Sequence, residues 1–138
     1  MKALPDIEQR LEQLLAGSPT AADADELLGL GEQVLEQWVR ARGEVPTMDR
    51  HEGFRLLALH RQGARELASF NACRESCREL VYHYNLLTLQ SQHPDTEMRA
   101  RMMTLVANHL CLFVAGKLQA EGLGEFCCAS RPLRAGAG

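Results

Sequence analysis

Apolar residues recur along this chain at helical spacing, and caps and breakers cut the pattern into segments. The first segment, about Pro5 to Leu15, carries Ile7, Leu11, Leu14 and Leu15 on one stripe. Proline favours its first turn and Gly17 marks its end. Asp6 and Arg10 stand four apart, acid before base, which supports an exposed helical face. After Ser18-Pro19, Thr20 and Asp23 have the spacing of a capping box. The helix they open runs to about Arg42 and buries Leu27, Leu30, Val34, Leu35 and Trp38. Gly29 and Gly31 mark a close helix contact inside it. Glu36 and Arg40 form a second pair four residues apart, and Gly43 and Pro46 bracket the exit.

The third segment is the longest. Asp49 and Glu52 read as another capping box, and no proline intervenes between Pro46 and Pro94. One helix over 49–90 would be about 63 Å long, too long for a compact domain of this size. Leu56, His60, Gly63 and Leu67 share one stripe, whereas Cys73, Cys77, Leu80, Tyr84 and Leu87 share another, turned by roughly 110° at 100° per residue. The pattern therefore predicts a break or a change of partner near Ser69-Phe70-Asn71, with Ser69 or Asn71 able to cap a new helix. The last segment starts at Pro94 and runs to about Glu121. Leu105, Val106, Leu110, Leu112, Phe113, Val114 and Leu118 cover most of its circumference, the mark of a central helix.

These segments imply an all-α fold, an antiparallel bundle of four to five helices. Residues 1–129 form one domain and 130–138 a flexible C-terminal tail. With 138 residues, the chain is long enough to bury a core without staples. Leucine and alanine dominate its apolar content, and aromatics are few.

The net charge of −3 argues against a nucleic-acid partner, which calls for a basic footprint. The charge is uneven. Residues 1–36 carry eight acids and two bases, near −6, and the rest ten acids and thirteen bases, near +3. The N-terminus lacks the apolar core of a secretory signal. The most apolar stretch, 102–118, is shorter than a membrane span needs. A cytoplasmic location is expected, with the five cysteines as free thiols or ligands rather than disulfides.

Cys73-Arg74-Glu75-Ser76 is followed by Cys77-Arg78-Glu79-Leu80. Two thiols one turn apart share a face and can chelate Zn or Cu if further ligands join them. His83, Cys111 and the Cys127-Cys128 pair are the candidates. A neighbouring arginine could also lower a thiol pKa and make it redox-reactive. The plainer reading is that Cys73 and Cys77, both on the apolar stripe, simply pack. His60, Tyr82, His83 and His109 are the candidate lining of a ligand pocket. Arg61 with Arg65, and Arg74 with Arg78, form basic pairs one turn apart, suited to phosphate or an acidic partner, although interleaved Glu66, Glu75 and Glu79 suggest a solvated face.

His51-Glu52 starts like a zincin motif but Arg55 stands where its second histidine would be, and no phosphate-binding glycine loop or nucleophile elbow is present. The leading expectation is a non-enzymatic protein-interaction or regulatory module acting as a homodimer, with no membrane association and no cofactor. A thiol-based metal or redox sensor and a His/Tyr-lined ligand binder or enzyme are the alternatives.

Overall fold

The computed structural model describes residues 3–123, so the expected 130–138 tail and Cys127-Cys128 lie outside the described residues. Helix α1 spans Leu4–Ala16, with Pro5 in its first turn and Ile7, Leu11 and Leu14 buried. The chain reverses after it at Ser18, whose φ of 61° is left-handed, whereas Gly17 keeps a negative φ. The capping box at Thr20 forms. Its hydroxyl accepts from the Ala22 amide at 3.2 Å, and Asp23 accepts from the Thr20 amide at 2.8 Å. That box opens a 3-10 turn, Ala21–Asp23, which runs into α2, Ala24–Ala41.

Two expected surface pairs are overridden by tertiary contacts. Arg10 reaches Glu26 on α2 at 2.9 Å instead of Asp6, and Glu36 pairs with Arg55 at 2.9 Å instead of Arg40. Half-buried partners on another helix satisfy a guanidinium better than a solvated neighbour does. Gly31 is the close-contact glycine: an added Cβ would lie 3.1 Å from Leu80 and 3.3 Å from Leu56, whereas one at Gly29 would meet nothing within 4 Å.

Helix α2 ends in a Schellman motif. Gly43, with a φ of 83°, donates to the Arg40 carbonyl, and Glu44 donates to that of Val39. The expected helix start at Asp49 is not realised. Glu52 and Gly53 both have positive φ and form a two-residue turn between His51 and Phe54, which a continuing helix could not contain. Helix α3 begins only at Arg55 and runs to Ala64. The buried Gln62 pins the 42–54 connection, accepting from the Thr47 amide and donating to the Val45 carbonyl, each at 2.8 Å. This return path lets α3 lie beside α2 in the same sense: Leu56 meets Gly31, and Gly63 meets Trp38.

The long third segment does break, slightly before the expected place. Arg65 is extended and Glu66 is left-handed with a φ of 61°. A 3-10 run, Ala68–Cys73, then leads into α4, Arg74–Leu89. The break tucks Phe70 against Trp38, with ring centroids 4.7 Å apart and planes 7° from parallel. The Trp38 indole donates to the Gly63 carbonyl at 2.9 Å, and Arg42 donates to the carbonyls of Gly63 and Arg65. The last carbonyls of α3 are thus capped by side chains of α2.

Helix α5, Thr96–Ala120, packs against α1, α2 and α4, while α2 touches all four other helices. Contacts of Arg101 with Leu15, Arg99 with Gln90 and Lys117 with Ser69 show that α5 runs antiparallel to α1 and α4. Its apolar circumference is only partly enclosed, since Met98, Met102, Leu105 and Leu112 face outward. No helix among the described residues is long and apolar enough to cross a membrane.

Gly63 and Gly29 should respond oppositely to alanine. At Gly63 a Cβ would sit 2.8 Å from Trp38 and 3.0 Å from Phe70, so Gly63→Ala should destabilise by about 1–3 kcal/mol despite its better helix propensity. At Gly29 the space is open, and Gly29→Ala should stabilise by about 0.5–1 kcal/mol. Urea denaturation followed by Trp38 fluorescence checks both, and a neutral Gly63→Ala would refute the close packing.

Candidate functional site

The thiol candidates separate into two places. Cys73, at the start of α4, and Cys77, one turn on, are 1% and 0% exposed. Cys73 donates to the Phe70 carbonyl at 3.3 Å, and His60 places Nε2 3.4 Å from the same oxygen. A hydrogen bond from Cys77 holds the Cys73 thiol down to about 6, with His60 adding to the effect. The same contact, together with burial, raises Cys77. Cys111 stands apart on α5, where burial, with Glu8 adding, pushes its thiol up to about 12. His83 lies elsewhere on α4. Burial lowers its pKa, Glu79 opposes this and Arg99 adds to it, and its Nδ1 is buried without a hydrogen-bond partner among the described residues. Cys73, Cys77, His83 and Cys111 are not drawn together. No group of three or more His, Cys, Asp or Glu able to hold a metal occurs among the described residues.

The pocket candidates are also dispersed. His60 is buried, stacked near Phe70 with centroids 5.7 Å apart, and lines one cavity at the end of α3. Tyr82 is exposed and lines an adjoining cavity beyond Leu57 and Arg78. His83 packs edge-on against Tyr82, and His109 is exposed on α5. Tyr84 instead donates its hydroxyl to Asp25 at 2.8 Å, a contact that raises its pKa and joins α4 to the start of α2.

What the structure does assemble is a continuous outer face on α5. Met98, Met102, Leu105 and Leu112 are 59%, 43%, 42% and 49% exposed, and His109 and Gly116 complete the stripe. The positions 98, 102, 105, 109, 112 and 116 alternate steps of four and three, the spacing of a coiled-coil seam. That signal was present in the sequence. Periodicity alone does not reveal it, because Leu105 and Leu112 adjoin Val106, Leu110 and Val114, which are buried, on a helix apolar nearly all round. No protein-family model, curated protein or solved structure matches the chain.

The burial of the three described thiols has a direct consequence. Alkylation of the native, reduced protein followed by peptide mapping should leave Cys73, Cys77 and Cys111 unlabelled, and all three should label after denaturation. Labelling of Cys73 in the native state at the denatured rate would restore the redox reading.

Proposed function

We propose that the protein is an interaction module that acts through the outer face of α5, and that its partner there is a second copy of the chain. The observation that carries this reading is the exposed 98–116 seam on a helix whose other sides are packed. An exposed contiguous apolar face on a small domain marks a contact surface rather than scattered surface leucines. Two methionines add flexible, polarizable side chains suited to such a surface.

The seam is also self-complementary. Reversing the helix about position 107 sets Met98 opposite Gly116, Met102 opposite Leu112, and Leu105 opposite His109. Gly116 has open space where a Cβ would point, so it can receive the long methionine of an antiparallel partner. His109 supplies one polar position in the seam, the kind of residue that fixes register in a helix pair. A cytoplasmic setting fits the free, buried thiols.

Sedimentation velocity on the reduced protein should show a dimer at micromolar concentration. Leu112→Glu would bury a carboxylate against the partner's Met102 on both sides of the seam and should give a monomer with unchanged helix content by circular dichroism. A wild-type protein that stays monomeric across the accessible concentration range would refute self-association.

A further inference from the structure

The two arginine pairs converge. Arg61 lies in the last turn of α3 and Arg65 just past its end, and Arg74 and Arg78 lie one turn apart at the start of α4. The 65–73 connection folds these ends together, so that all four arginines, with His51 and His60, line a single cavity of about 500 Å³. This size lies within the range of small-ligand pockets, and Leu57 and Ala64 add an apolar portion to the lining.

The charges in this cavity are only half compensated. Glu44 accepts from Arg65 at 3.0 Å, and Glu52 accepts from Arg78 at 3.2 Å through both oxygens. Glu75 also acts on Arg78, from the adjoining cavity. Arg61 meets His51 Nδ1 at 2.9 Å rather than a carboxylate. Arg74 makes no hydrogen bond or ion pair among the described residues. Like charges gathered around one concavity repel, and a bound anion removes that repulsion.

The cluster is also held in place. His51 Nε2 lies 3.0 Å from Glu52, so the turn between His51 and Phe54 brackets Arg61 on α3 and Arg78 on α4 through one chain of hydrogen bonds. The carbonyl end of α3 is screened, because Trp38 and Arg42 occupy the carbonyls of Gly63 and Arg65.

We propose that this cavity binds a phosphoryl dianion, as carried by a small phosphomonoester whose organic part rests on Leu57 and Ala64. Guanidinium forks match phosphate oxygens in pairs, and two facing arginine pairs offer two such forks. The site is distinct from the α5 seam and stands whether or not the chain dimerises.

Amide NMR titrations with inorganic phosphate and with phenyl phosphate test it on the full chain. Saturable shifts should be confined to residues near 60–65 and 71–78, with phenyl phosphate binding more tightly. Arg74→Gln, which removes an arginine with no hydrogen bond or ion pair among the described residues, should weaken both by about tenfold. Arg40→Gln, an equal loss of charge on exposed α2 surface, should leave both unchanged. Non-saturating shifts spread over the basic residues, or equal weakening by the two variants, would overturn the site. Phenyl phosphate binding no tighter than phosphate would overturn the ester assignment.

Discussion

The approach of Trp38 to Gly63 and Phe70 organises the packing of α2, α3 and the start of α4. A fully buried indole stacks on one ring, donates to one carbonyl, and fits only because position 63 has no side chain. Burial of two aromatic rings supplies a large apolar gain, and the buried indole N–H is satisfied, so no polar cost offsets it. The Arg42 guanidinium, 5.7 Å from the indole centroid, closes the outer side and caps the same helix end.

This contact explains why the 49–90 region does not form one rod. A continuous helix would carry Phe70 past Trp38 and leave both rings without partners. Ending α3 at Ala64 and turning through a left-handed Glu66 costs some backbone strain, and the stacked rings offset it. The same fold-back buries Cys73 and Cys77 beneath His60 and Phe70. It also turns four arginines, distributed over two helices, toward one another. The thiols and the arginines therefore exchange the prominence that their spacing first suggested: the cysteine pair is sealed, and the arginines line an open cavity.

Helix α5 shows the opposite relation between pattern and burial. Its apolar residues nearly encircle it, yet α1, α2 and α4 together cover only part of that circumference. The uncovered part has a seam's spacing, and it is the surface through which self-association is proposed. Met98 lies near its N-terminal end and Gly116 near its C-terminal end, so an antiparallel copy sets large against small at those two positions.

The all-helical class, the capping box at Thr20, a close helix contact at the Gly29/Gly31 pair, and a break or change of partner between Leu56 and Leu87 were legible in the sequence alone, although which of the two glycines makes the contact was not. Each of these rests on local terms: propensity, caps, and a stripe whose phase changes within one segment. The sequence could not determine that Asp49 and Glu52 would lie in a return loop, because a capping-box pattern is equally compatible with a turn once Gly53 takes a positive φ. Nor could it choose Glu26 over Asp6 for Arg10, or place Arg61 and Arg65 opposite Arg74 and Arg78. Which α5 residues stay exposed and which arginines share a cavity depends on how the helices pack. Periodicity fixes which residues lie on the same face of a helix, whereas the neighbour each face meets is set by long-range packing, here by where Phe70 lands on Trp38.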